Sequence, residues 1–143
     1  MSAPGVESMI RSALGDFLDL PVRDVMRAGV VSIAEDASLH QVYRAIATHH
    51  VHAVLVVGST SGRALGWITA RGLFGWLTSD QSLSFAREAI TERPVTIAPS
   101  DSVRDAVTAL SQPGTTHLLV ARNPDWLPEG VISDLDVVSL ASP

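Results

Sequence analysis

The sequence predicts an α+β fold: two tandem β-α-β-β-α repeats related by a pseudo-two-fold axis, with an amphipathic helix in front of them. Three observations carry that expectation. First, Gly66-Trp67-Ile68-Thr69 returns as Gly130-Val131-Ile132-Ser133, and the offset of 64 residues holds without a gap through most of the chain. At the same offset Arg23 matches Arg87, Val31 Val95, Ile33 Ile97, Ala34 Ala98, Ser38 Ser102, Ala45 Ala109, Leu55 Leu119, Val56 Val120 and Ile68 Ile132. Second, each copy alternates short β-branched runs with helical patterns in the same order. Third, one copy alone is too short to bury a core, so the halves are expected to pack on one another. A two-fold axis between halves makes paired clefts, the usual place for a ligand.

Taken in order, Val6, Met9, Ile10, Ala13, Leu14, Phe17 and Leu18 recur at helical spacing, with Glu7, Arg11, Ser12 and Asp16 on the other face. They predict an amphipathic helix of about three turns, ended by Pro21. Repeat one begins with a short helical turn at Val22–Met26 and a strand at Val30–Ile33. Glu35-Asp36-Ala37-Ser38 then starts a helix, its acids favoured by the helix dipole. Leu39, Val42, Tyr43, Ile46 and Ala47 give that helix its inner face. Val51–Val57 reads as a strand, 58–62 as a turn, and Ala64–Thr69 as the returning strand of a hairpin. Ala70–Leu77 closes the copy as a helix, and 78–84 reads as a polar linker. Repeat two follows suit. It has a short helix at Phe85–Ile90, a strand at Val95–Ala98 and a helix at Ser102–Leu110, with Val103, Val107 and Leu110 inward. Hairpin strands at His117–Ala121 and Gly130–Ser133 follow, with a turn at Asn123-Pro124-Asp125, and then a closing helix at Asp134–Leu140.

Bulk properties narrow the function classes. The 143 residues, 46% hydrophobic and 17% charged, fit one well-packed domain. There is no cysteine, which removes disulfides and thiolate catalysis. Net charge is −5 and all ten basic residues are arginine. So few phosphate neutralisers argue against a nucleic-acid surface, though not against one local anion site. The start lacks a basic region followed by an apolar stretch, and the longest apolar run, Ala53–Val57, is far short of a membrane span. The expectation is a soluble cytoplasmic protein with no membrane and no nucleic-acid partner.

The doubled order, with Gly-apolar-apolar-Thr/Ser-x-x-Asp at the last strand-to-helix junction, resembles the CBS domain; two in tandem form a Bateman module. Val22-Arg23-Asp24-Val25-Met26, then Val31-Ser32-Ile33, the helix after Ala37-Ser38-Leu39, and the stretch from His49 to Val57 match the family's usual order. The resemblance spans about Pro21 to Leu140. It implies a disc of two repeats with clefts for adenosine-containing ligands: AMP, ADP, ATP or S-adenosylmethionine. It also implies regulation of another protein rather than catalysis, and frequent homodimers.

Within that frame Ser133 and Asp136 are the leading candidates. A carboxylate at this junction can accept hydrogen bonds from a ribose diol, each worth about 1.5–3 kcal/mol when one partner is charged. The serine hydroxyl can meet ribose or phosphate. Two readings stay open, since Ser133 capping the last helix with Asp136 in its first turn explains the same residues. In repeat one the acid is missing: Thr69 remains but Gly72 stands at the matching position. That cleft is expected to be degenerate, with Trp67 filling core or interface space rather than stacking on a base. The resemblance carries adenine recognition onto Met26, Val31, Val51, His52 and Ala53. Arg71 is either a phosphate contact or a solvated arginine.

His49, His50 and His52 straddle a helix-to-strand junction with no cysteine or nearby acid, so no metal site is expected. No Gly-x-Ser-x-Gly, Gly-x-Gly-x-x-Gly or Walker loop is present, and no catalytic residues are assigned. The chain divides into an N-terminal helix (1–20), repeat one (21–80) and repeat two (84–143). Its expected function is a regulatory sensor that binds an adenosine-type ligand in the inter-repeat cleft and modulates an unknown partner, with no required cofactor. The alternative is a ligand-free dimerisation scaffold.

Overall fold

The computed structural model describes residues 16–80, 84–123 and 127–142. In chain order the elements are β1 (Arg27–Ala28), β2 (Ser32–Ala34), α1 (Leu39–His49), β3 (Ala53–Val57), β4 (Ala64–Thr69), α2 (Phe74–Leu77), β5 (Thr96–Ile97), α3 (Val103–Leu110), β6 (His117–Val120), β7 (Gly130–Ser133) and α4 (Asp134–Leu140), with 3-10 turns at Val22–Asp24, Arg71–Leu73 and Ala86–Ala89. The doubled α+β plan expected from the sequence is present. The N-terminal helix lies outside the described residues except for its end, helical at residues 16–18. Among the described residues no helix is long and apolar enough to cross a membrane.

The strands form two sheets, β2-β3-β4 and β1-β7-β6-β5. In each, a parallel pair joined across a helix (β2 with β3, β5 with β6) continues into an antiparallel hairpin. Six fully or nearly fully buried positions match at the offset of 64. Leu39, Val42, Val54, Val56, Ile68 and Ala86 are buried in one copy; Val103, Ala106, Leu118, Val120, Ile132 and Val22 are buried in the other. Helix starts are also alike. Ser38 and Ser102 each accept from the backbone N–H three residues on, while Gln41 and Asp105 bond back to the serine N–H. Each such capping box satisfies two orphan donors of the first turn.

The chain divides into two compact units that do not follow the repeats. One is the contiguous stretch Gly29–Val95; the other joins the residues up to Ala28 with those from Thr96 onward. The segment leading into each repeat therefore docks in the unit built around the other repeat. Val22 N–H donates to the Asp101 carbonyl at 2.7 Å and Arg23 N–H to that of Pro99 at 3.0 Å. At the offset of 64, Ala86 N–H donates to Ala37 at 2.8 Å and Arg87 N–H to Glu35 at 3.0 Å. Strand β1 then pairs with β7, Ala28 opposite Gly130 and Arg27 opposite Val131. In the contiguous unit the Trp67 N–H donates to the Glu92 carbonyl at 2.9 Å.

A glycine permits each docking. A Cβ on Gly130 would lie 2.4 Å from the Arg27 carbonyl oxygen and 2.7 Å from Met26 Sδ. A Cβ on Gly66 would lie 2.4 Å from Ile90 Cγ2 and 2.7 Å from the Glu92 carbonyl oxygen. The Gly that opens the repeated four-residue motif is thus where a foreign backbone passes.

Three elements differ most from the sequence expectation. Helix α1 begins at Leu39 behind the Ser38 cap, so Glu35 and Asp36 precede its first turn and lie outside it. The expected strand at Val30–Ile33 is displaced to Ser32–Ala34, because it takes its register from β3, and the two-residue β1 precedes it. The expected closing helix Ala70–Leu77 is split into a 3-10 turn and one short turn of α2, whereas α4 runs unbroken. Gly72 N–H is capped by Thr69 Oγ1 at 3.1 Å, but glycine has no side chain to return the bond. Half a capping box leaves that start loosely specified.

Gly130→Ala is expected to destabilise the protein by about 1–3 kcal/mol, since a backbone carbonyl cannot step aside. Gly75→Ala, whose Cβ would meet nothing within 4 Å, should be neutral or raise stability by about 0.4–1 kcal/mol. Urea unfolding of the two variants against the parent checks the contrast.

Candidate functional site

The site residues expected from the sequence fall into both units. Met26, Ser133 and Asp136 belong to the discontinuous unit; Val31, Val51, His52, Ala53, Thr69, Arg71 and Gly72 belong to the contiguous one.

In the discontinuous unit the geometry begins with β7. Its residues alternate between the two faces of the sheet. Gly130 and Ile132 face one way, and Ile132 is fully buried. Val131 and Ser133 face the other, sharing it with Arg27 and His117, which lie opposite them in the neighbouring strands. Ser133 is buried apart from 9% of its surface, and His117 Nδ1 lies 2.8 Å from Thr116 Oγ1.

The chain then turns into α4 with a full capping box. Asp136 N–H donates to Ser133 Oγ at 3.2 Å, and Ser133 N–H donates to Asp136 Oδ2 at 3.0 Å. The capping geometry is therefore formed. It does not use the whole carboxylate: Oδ1 accepts from Arg27 Nε at 2.8 Å. The Asp136 side chain is 11% exposed and that of Arg27 62%. A mostly covered acid is thus held from two sides, by its own helix start and by an arginine from the lead-in strand. The exposed partner keeps the pair modest in stability, about 0–1 kcal/mol. Its chemical effect is larger, because it sets a cation against the one carboxylate oxygen that the capping box does not use.

The contiguous unit has the same frame with different occupants. Gly72 replaces the acid, and Thr91, at the offset of 64 from Arg27, replaces the arginine. Thr91 Oγ1 lies 3.4 Å from Thr69 Oγ1, and a Cβ on Gly72 would come within 2.6 Å of Thr91 Cγ2. Threonine has filled the space that a side chain at position 72 would need. Trp67 is 2% exposed, part of the packing of this unit. His52 serves the backbone: its carbonyl accepts from Ala70 N–H at 2.8 Å. His50 adopts a left-handed conformation, with φ 51°, that ends α1. Among the described residues no group of three or more His, Cys, Asp or Glu could hold a metal ion.

Arg27, His117 and Thr91 are absent from the sequence reading of the site. No sequence pattern points to them, because the pairing of Arg27 with Asp136 spans 109 positions and depends on which copy the lead-in docks against.

The CBS domain family matches residues 22–79 and again 86–142. Among solved structures, the CBS domain of a bacterial CNNM/CorC family Mg2+ transporter in complex with ATP is 17% identical, with a TM-score of 0.78, over 94% of this chain and 96% of that one. The CBS domain of a CBS domain-containing membrane protein from Sphaerobacter thermophilus is 22% identical, with a TM-score of 0.73, over 96% and 98%. A CBS domain protein from Pyrobaculum aerophilum complexed with AMP is 19% identical, with a TM-score of 0.72, over 87% and 100%. These likenesses establish the fold. A comparison with curated proteins finds no match.

The crowding at position 72 has a measurable signature. Gly72→Ala is expected to destabilise the protein by about 1–3 kcal/mol, and by clearly less when Thr91→Ala removes the obstructing methyl. A double-mutant cycle read by urea unfolding should give a coupling of at least about 0.5 kcal/mol.

Proposed function

The chain belongs to the CBS-domain family, and on that premise we propose that it is a regulatory module that binds an adenosine-containing ligand beside Asp136 and passes the binding event to a partner protein. The observation that carries the reading is Asp136 itself, 11% exposed and fixed in place by the Ser133 capping box. A carboxylate whose rotamer is already set gives up little side-chain entropy when it accepts from two ribose hydroxyls. Ser133 Oγ and the apolar Met26 are the other contacts in this reading, Met26 offering a face to the base. Two of the solved CBS relatives hold ATP and AMP, which favours the same ligand class for this chain. The proposed role is binding rather than catalysis. The proposed setting is the cytoplasm, where adenine nucleotides are available to be sensed.

Transmission requires that the ligand favour one of two arrangements of the module or of its assembly. The proposed assembly is a homodimer. Phe74 and Leu77 on α2 are 62% and 59% exposed, and Leu135 and Val138 on α4 are 51% and 68% exposed. Each pair is three residues apart and so shares one helix face, which favours self-association. On this reading the chain sediments as a dimer, and Phe74→Glu combined with Val138→Glu gives a folded monomer. Analytical ultracentrifugation of the two proteins decides between them.

The closed frame around Gly72 favours a second reading, a scaffold without ligand, for the contiguous unit at least. A thermal-shift screen against AMP, ADP, ATP and S-adenosylmethionine separates the two. A ligand at 100 times its dissociation constant adds about 2.7 kcal/mol of stability, a shift of several degrees in Tm for a chain of this size. Asp136→Ala should then weaken that ligand by about 1.5–3 kcal/mol in calorimetric titration, performed well below Tm so that the lost cap does not interfere. No shift with any of the four selects the scaffold.

A further inference from the structure

The carboxylate proposed to hold the ribose is not idle. Asp136 Oδ2 is engaged by Ser133 N–H and Oδ1 by Arg27 Nε. A sugar that approaches Oδ1 meets an arginine already there. Two outcomes follow from elementary electrostatics. If the incoming ligand is neutral or cationic near its 5′ carbon, the arginine is either displaced without a new partner or left competing for the same oxygen. If the ligand carries an anion there, the guanidinium can turn from the carboxylate to the anion, and every charge stays paired.

Arg27 is suited to that exchange. It holds Asp136 through Nε alone, and its side chain is 62% exposed. The two terminal amino groups are the fork that binds phosphate oxygens most effectively. The contiguous unit lacks both members of the pair: at the offset of 64, Gly72 stands in place of the acid and Thr91 in place of the arginine.

We propose, on the reading that Asp136 is the ribose acceptor, that Arg27 makes the site selective for adenosine 5′-phosphates and against adenosine and S-adenosylmethionine. The free arginine masks the acid. A 5′-phosphate draws it off, and the same guanidinium then anchors the phosphate. Adenosine has no group to draw it off, and S-adenosylmethionine puts a cationic sulfonium at the 5′ carbon, its only anion, the carboxylate, lying several bonds further out.

Calorimetric titration of the full chain with AMP, adenosine and S-adenosylmethionine tests this, using wild type, Arg27→Gln, Arg27→Lys and Asp136→Ala. Wild type is expected to bind AMP roughly tenfold or more tightly than adenosine, one charge-assisted bond being worth at least that factor. Arg27→Gln should bind AMP more weakly and adenosine as tightly as, or more tightly than, wild type, so that the preference collapses. Arg27→Lys, which keeps the charge but not the fork, should retain part of the preference and serves as the control for folding. Wild type binding adenosine or S-adenosylmethionine as tightly as AMP overturns the proposal, as does an Arg27→Gln protein that keeps the full AMP preference. If AMP binds Asp136→Ala as well as wild type, the ribose reading itself fails, and the proposal fails with it. Loss of AMP binding in Asp136→Ala, with the preference intact in Arg27→Gln, overturns the role of Arg27 alone.

Discussion

The approach of a lead-in backbone to a glycine, Gly66 within β4 and Gly130 at the start of β7, is the constraint on which the rest of the structure depends. Gly66 and Gly130 have no Cβ, and so admit Ile90–Glu92 and Met26–Ala28 at distances that any other residue would forbid. That passage lets each lead-in complete the sheet and core of the opposite copy, where Val22 and Ala86 are fully buried. The two hydrogen bonds at each docking site repeat at the offset of 64. Neither copy folds around its own beginning. Each is completed by eight or so residues that belong, in sequence, to the other.

The same docking sets the chemistry. Position 27 comes to rest beside position 136, and position 91 beside position 72. In one unit the two positions hold an arginine and an aspartate, charged, paired and reachable from solvent. In the other they hold a threonine and a glycine, tightly packed and free of charge. One backbone device therefore makes two unlike places from nearly like sequences. The difference lies in two side chains whose identities are coupled by contact. A carboxylate at position 72 would have no room, and an arginine at position 91 would have no acid to meet.

Much of this was legible in the sequence. The repeat, the order of its elements and most of the buried positions follow from spacing, because helix and strand periods leave distinct marks. The singular Asp136 and the vacated Gly72 could be read from the offset. The exchange of lead-ins could not. A pattern repeated twice shows that two segments are equivalent, and it reads identically whether each docks at home or across. Had they docked at home, Arg27 would face Gly72 and Thr91 would face Asp136. The ion pair joins residues 109 positions apart, and only the topology reveals it. Strand β1 escaped notice for a simpler reason: two exposed residues carry no periodicity. The split at Arg71–Leu73 escaped because a missing half of a capping box is the absence of a bond rather than a motif.

The division of the chain also fixes an order of events during its synthesis. All that the contiguous unit requires, from Gly29 to Val95, has been made once residue 95 leaves the ribosome, and its contacts are local enough to form at once. Strand β1 is made earlier but finds its sheet only when β7 emerges, more than a hundred residues later. Between the emergence of residue 95 and that of β7, the nascent chain holds one complete body and one leading strand with no edge to join. Arg27 can reach Asp136 only after α4 has begun to emerge, so this ion pair closes on a chain whose contiguous unit has already been made.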